Sequence, residues 1–516
     1  STFFGLTIAY SGLQAANTSL TITGHNVSNI NTKGYTRQQA GTQAADALRT
    51  HTTYGAIGSG VVVTEISQIR DSYYDVKYRN NMANYGQYSV KESYMGQIED
   101  YLDEFTLNGY SQEYKNFFSA VNQLTITPGD TSAKNQLINN AKSLADYFNT
   151  LTTNLRNVQA DANNEIKDAV QQINSYAKNI AALNRQINQI EANYGNANDL
   201  RDKRNAMIDE LSEIVNLETS EEDMGNNVSN FSVRINGQTL VSYSYNTLET
   251  VARTDKKNYS DAEGLYDVQW NSGQKFDMYS TSLSGHLKGL IDIRDGNNGE
   301  HENIETDDDG NNVTDSDGNL VLTTAPAADK TVSYKGVPYY QAQLNEFAKI
   351  FSDAVNKIMK SGYTSDGSSK GISLFVTQPN TTVMSAGNIT VNPELLKNAD
   401  LLAIKKEQND GESDAQIMEE LNKLQSEKIF AGGTGSYFLE SIVSDMSIDS
   451  QKAVNLYKNY TDLKTSIHNQ RLSIMGVDTD EEAMDMIKYQ QAYNLNSKMM
   501  SVMNQIYDKL INQTGI

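Results

Sequence analysis

The chain of 516 residues contains no cysteine, one tryptophan and only five prolines. Without thiols there can be no disulfide, no thiol nucleophile and no cysteine-ligated zinc. The prolines, at positions 128, 326, 338, 379 and 393, are confined to the middle, so neither long terminal region carries a residue that forbids helix. Positive charge is also scarce. Against 64 Asp and Glu stand 42 Lys and Arg, a net charge of −22 that argues against a nucleic-acid or anionic-membrane partner. No apolar run approaches the ~20 residues of a membrane helix. The opening residues lack the basic and continuous apolar regions of a secretory signal, so any export is expected to take another route.

Patterns that carry chemistry are missing as well. His301-Glu302 begins the H-E-x-x-H arrangement of zinc peptidases, but position 305 is Glu where the second ligand is needed. The stretch from Asp307, D-D-D-G-N-N-V-T-D-S-D-G-N, sets oxygens at alternate positions, yet it lacks the bidentate Glu of a calcium loop and reads as turn chemistry. The histidines at 25, 51, 286 and 468 share no ligand spacing, and no phosphate-binding loop or nucleophile elbow occurs. No catalytic, cofactor or metal residue is expected.

Helical periodicity is plentiful. In the tail, Ile487, Gln491, Leu495, Met499, Val502, Ile506 and Leu510 form one row at three- and four-residue spacing, and Tyr489, Tyr493, Asn496, Met500, Met503 and Tyr507 form a second beside it. Two adjacent seams need partners on two sides. The opening stretch offers one, with Leu6, Ala9, Leu13, Ala16, Leu20, Thr23, Val27 and Ile30 at the same spacing. Between Pro128 and Gly195 no proline or glycine interrupts, and apolar residues from Ile138 to Tyr194 recur at threes and fours. This predicts a helix on the order of 100 Å long at 1.5 Å per residue. The stretch 439–474 repeats the spacing and is the expected mate. From Glu218 the pattern turns to alternating β-branched runs with N-G and S-G turn signals, and 292–317 holds ten acidic residues against one arginine, as a solvated loop would.

These readings predict a mainly α protein with a β-rich insert: an elongated multidomain rod with terminal helices paired in a coiled coil, a central helical bundle and an outer β domain. The expected divisions are 1–60 with 477–516 for a terminal assembly domain, 61–217 with 336–476 for a long-helix domain, and 218–335 for the insert with its acidic loop 292–317.

The opening F-F-G-L-T-I-A-Y-S-G-L-Q-A-A, followed by G-H-N-V-S-N-I-N-T-K-G-Y-T-R-Q, resembles the amino-terminal signature of the flagellar rod, hook and hook-associated proteins. N-D-L-R-D-K-R-N-A-M-I-D-E-L-S at 198, G-H-L-K-G-L-I-D-I-R-D at 285 and G-V-D-T-D-E-E-A-M-D-M-I-K-Y-Q-Q-A-Y at 476 are similar to later blocks of the hook-associated branch, in the same order. The resemblance implies a non-catalytic structural subunit forming a homo-oligomeric ring at the junction of hook and filament. Its expected neighbours are hook protein on one side and a second hook-associated junction protein on the other. It also implies export through the flagellar type III apparatus to the extracellular flagellum, with a cytosolic chaperone on the carboxy-terminal helix beforehand. Motif positions carried over as assembly residues are Asn26, Asn29, Thr32, Gly34, Tyr35 and Arg37, with Glu481, Glu482, Gln490, Gln491, Ala492 and Tyr493. Leu6, Leu13, Leu20, Val27, Ile487, Tyr489, Leu495, Met499, Met500, Val502, Met503, Ile506, Tyr507 and Leu510 join them from the seams. Another axial subunit, of hook or filament, is the alternative within this class; a calcium-binding surface adhesin using the acidic loop is the alternative outside it.

Overall fold

The structure, a computed structural model, describes residues 4–49, 56–102, 110–297, 334–379, 381, 383–411, 413–430 and 433–513, and within 298–333 only 303–304, 313 and 322–323. The predicted acidic loop therefore lies, from residue 298 on, almost wholly outside the described residues.

The chain opens with helix α1 (Phe4–Ser28) and strands β1 (Gln38–Ala44), β2 (Leu48–Arg49), β3 (Ala56–Ile57) and β4 (Val61–Gln68). Helices α2 (Ser72–Leu102), α3 (Tyr110–Ile126), α4 (Thr131–Glu191) and α5 (Asn198–Ile214) come next. Strands β5 (Glu218–Asp223), β6 (Ser229–Ile235) and β7 (Gln238–Val241) make one antiparallel sheet, and β8 (Leu248–Ala252) with β9 (Tyr266–Trp270) a separate hairpin. Beyond α6 (His286–Arg294) and α7 (Val337–Ser361), a mixed segment of short strands and helices leads to α10 (Gly435–Met475) and α11 (Thr479–Asp508), where α8 is Pro393–Lys397 and α9 Gln416–Lys423.

The 61 residues of α4 bear out the uninterrupted apolar spacing. Asp130 accepts the Ser132 N–H at the start (2.8 Å), and Tyr194, in the left-handed region at φ 61°, ends the helix with the Gly195 N–H on the Ile190 carbonyl. Its buried stripe runs from Leu137 to Ile187. Ile190 and Tyr194, which continue the pattern in sequence, are exposed because they sit on the closing turn. Tyr460, one of the α10 residues on the 439–474 spacing, stacks on Tyr88 of α2, and its neighbour Tyr457 lies tilted against Tyr85.

The residues divide into two compact units. One comprises 1–83, 173–247 and 461–516; the other comprises 84–172 and 248–460. The β-rich stretch read as one insert contributes to both, because the β5–β7 sheet falls in the first and the β8–β9 hairpin in the second. In the second unit an aromatic core joins Tyr114, Phe117, Phe148, Phe347, Phe351, Phe430 and Phe438, with Phe347 stacked 5.2 Å from Phe148 and 5.0 Å from Phe430. Its buried polar centre is Asp295. Burial by itself would raise that carboxyl, but Arg294 and Arg253 reverse the effect and hold it well below the ordinary carboxylate range.

In the first unit α1 and α11 lie antiparallel. Gly5 faces Met503, Gly12 faces Asn496, and Asn26 reaches Glu482. The α1 face turned to α11 is made of small residues: Gly5, Ala9, Gly12, Ala16, Ser19, Thr23 and Asn26. A Cβ on Gly12 would lie 2.6 Å from Asn496 Oδ1, so an alanine there must push the end of the Asn496 side chain aside and a larger residue must move the helices apart. Gly12→Ala gains about 1 kcal/mol of helix propensity against a small clash, whereas Gly12→Leu is expected to destabilise the pair by about 2 kcal/mol through overpacking. Thermal unfolding of the two variants beside the parent checks this; an unchanged leucine variant would contradict the packing described.

Candidate assembly surface

The turn between α1 and β1 is fastened from several sides, all within the first unit. Asn29 returns its amide to the His25 carbonyl (3.0 Å) to close α1, and Gly34, at φ 80° beside Ala206, turns the chain. Asn26, buried in the last turn of α1, is the centre of the turn's hydrogen bonding. Its Nδ2 donates to the Gln38 carbonyl (2.9 Å) and to Glu482 Oε1 (3.1 Å), while its Oδ1 accepts from Tyr35 Oη (2.8 Å) and from the Gln38 N–H (3.0 Å). All four bonding positions of the amide are used.

Arg37 is the second fastener. Its Nε donates to Glu482 Oε1 (2.7 Å) and one terminal nitrogen to Glu481 Oε2 (2.7 Å), with Asp485 3.6 Å away. Burial would lower the guanidinium pKa, but Glu482 and Glu481 outweigh it and the net shift is upward. Its backbone pairs with Met475 and Ile69, which ties the turn to the end of α10 and to β4. Asp478 caps α11 by accepting from the Asp480 and Glu481 N–H groups, and the acidic first turn suits the positive end of the helix dipole. Burial lifts the Tyr35 hydroxyl pKa, and the nearby carboxylates of Asp199, Asp202 and Glu482 add to the rise, so it stays a neutral donor.

A third set of residues holds the turn from beneath. Asp202 on α5 accepts from the Thr36 N–H (2.9 Å), Thr36 Oγ1 (2.6 Å) and Gln68 Nε2 (2.7 Å), with Arg70 3.5 Å away. Arg70 also pairs with Asp75, which Arg471 meets at 2.8 Å, and Arg471 continues to Asp209, shared with Arg79. Spacing in the sequence did not single out Asp202, Asp209, Arg70 or Arg471. The signal available was the similarity of the 198 block, whose Asp199 and Asp202 prove to be partners of the amino-terminal motif through Gln38 and Thr36, while its Asp209 pairs with Arg79 and Arg471. Beside this network lies a groove of about 750 Å³ lined by the 30–35 loop, α5 and the end of α10. Among the described residues no three His, Asp or Glu converge as a metal site.

The two seams of α11 are treated differently. Tyr489, Tyr493, Asn496, Met500, Met503 and Tyr507 are half-buried toward α1. Ile487, Leu495, Met499, Val502, Ile506 and Leu510 point away and are between 43% and 66% exposed. Gln491 is exposed with them. On α1, Leu6, Leu13, Leu20 and Val27 are half-buried, flanking the small-residue face. Asn26, Tyr35 and Arg37 are spent on contacts within the chain.

These features define a class: helical subunits whose paired terminal helices hold one apolar seam closed and leave another open. Residues 95–375 match the family described as "Flagellar hook-associated protein FlgK helical domain", and 468–513 match "Flagellar basal body rod FlgEFG protein C-terminal". The chain belongs to the FlgK family of flagellar hook-associated proteins. It is 26% identical to flagellar hook-associated protein 1 of Bacillus subtilis, over 100% of this chain and 99% of that one. To the same-named protein of Salmonella typhimurium it is 28% identical, over 98% of each. Its fold is similar to that of the flagellar hook junction protein FlgK from Burkholderia pseudomallei, with a TM-score of 0.60 at 14% identity, covering 77% of this chain and 100% of that structure.

Proposed function

We propose that this protein is a structural, non-catalytic subunit of the bacterial flagellum that forms the junction between hook and filament, and that it does so by burying the open seam of α11 against neighbouring subunits. The observation that carries this reading is the row from Ile487 to Leu510. It is a regular apolar stripe on a helix whose one buried residue is Glu482. Burying a side chain of this size contributes on the order of 1.5–3 kcal/mol before the cost of association, so six of them supply a substantial driving force. The terminal segments 1–60 and 477–516 are the assembly part, and the clasp of Asn26, Tyr35, Arg37 and Glu482 sets the angle at which α11 is presented.

Within this reading the subunits form a homo-oligomeric ring, with hook protein on one side and a second hook-associated protein on the other. Before type III export a cytosolic chaperone covers the same seam, since an exposed stripe of this length invites association in the wrong place. The net charge of −22 speaks against nucleic acid, and no helix among the described residues is long and apolar enough to cross a membrane. The 468–513 match, described by rod proteins, points to the tail as a shared device; the 95–375 match is what favours a hook-associated subunit over a rod or hook subunit. Deleting the gene is expected to leave cells with hooks but without filaments, and with filament subunit shed into the medium. Cells that still grow filaments would overturn the junction role.

A further inference from the structure

We propose that the tyrosine pairs Tyr85–Tyr457 and Tyr88–Tyr460 are sites of oxidative phenol coupling, able to staple α2 to α10 covalently in a chain that has no cysteine. Both pairs lie within the second unit, three residues apart on each helix. The Tyr88 and Tyr460 rings stack with centroids 5.3 Å apart and planes 20° from parallel; the Tyr85 and Tyr457 rings lie 5.5 Å apart at 32°. Other tyrosine pairs in ring contact among the described residues, Tyr73–Tyr74 and Tyr339–Tyr340, are sequence neighbours set edge to face at 85° and 89°, so a link there would close no loop between helices. Of these four pairs only the two that cross between helices present ring against ring.

All four rings of the cross-helix pairs are half-buried. That leaves an edge open to a small oxidant while the helices hold each ring against its partner, so a radical formed on one meets the other before it meets a second molecule. In the step, each phenol gives up one electron and its hydroxyl proton to become a phenoxyl radical. The two radicals join through ring carbons next to oxygen, and the hydrogen on each of those carbons moves to oxygen as the rings regain aromaticity. In total two electrons and two protons leave the pair. A peroxide acting through a peroxidase takes them up and becomes two waters, so the co-reactant is a peroxide-driven one-electron oxidant. The link would act on the unfolded chain as a disulfide does, by closing a long loop.

The test uses the full-length protein at low concentration with horseradish peroxidase and hydrogen peroxide, then proteolysis and mass spectrometry. The expected result is monomeric product with dityrosine fluorescence, and peptides joining the 85–88 region to the 457–460 region at a mass two hydrogens below the sum of the two for each link. The double variant Tyr457→Phe with Tyr460→Phe keeps the ring stacks but lacks the phenols, and is expected to lose these linked peptides; Tyr457→Phe alone is expected to lose only the first link. Absence of the linked peptides while the open tyrosines Tyr73 and Tyr194 react, or undiminished monomer dityrosine in the double variant, would overturn the proposal.

Discussion

Leu495→Asp, or Met499→Asp, is expected to leave the chain folded and to abolish its assembly into flagella. Leu495 is 66% exposed and Met499 50% exposed, so in the free subunit the new carboxylate stays in water and costs little. In the assembled state the same carboxylate would be buried on an apolar seam, where an unpaired charge is penalised by several kcal/mol. Circular dichroism and thermal unfolding should match the parent, while complementation of a deletion strain should yield hooks without filaments. Filaments of normal number and length in either variant would sink the assignment of this seam. Tyr493→Asp makes the useful contrast, because it lies on the seam closed by α1 and should loosen the helix pair in the free subunit as well.

The second large effect is expected at Glu482. Its side chain is 2% exposed and accepts from both Arg37 and Asn26. Glu482→Ala removes the buried acceptor shared by Arg37 Nε and Asn26 Nδ2, while Arg37 keeps Glu481 and Asn26 keeps the Gln38 carbonyl, and losing such a charged buried acceptor costs about 2 kcal/mol. Glu482→Gln retains a carbonyl acceptor and should cost clearly less. Hydrogen exchange of amides in 26–38 and 479–490 reads this directly: both segments should lose protection together in the alanine variant. Independent behaviour of the two segments would mean that the clasp does not couple them.

Much of the fold is legible in the order of residues alone. The three-and-four spacing marks α4 and α11, and the N-T-K-G-Y block marks the end of α1, because helix periodicity and turn chemistry are local properties written in consecutive residues. Less legible is the face on which α1 meets its partner. Leucines at 6, 13 and 20 suggest the contact by hydrophobicity, yet the innermost face is the glycine and alanine row beside them, because close approach of two helices is limited by side-chain volume. Asp202 and Arg471 are invisible for a different reason. Their partners are more than a hundred residues away, and a buried polar residue has no periodic signature.

Composition and spacing set how much of each terminal helix is sticky, and from them alone both ends read as helices with more apolar surface than one neighbour can cover. Tertiary structure decided which of the two α11 seams is closed and which is open. Gly5 and Gly12 let the Met503 and Asn496 side chains come close, and Asn26 and Arg37 lock that register onto Glu482, so the row from 487 to 510 is left facing outward.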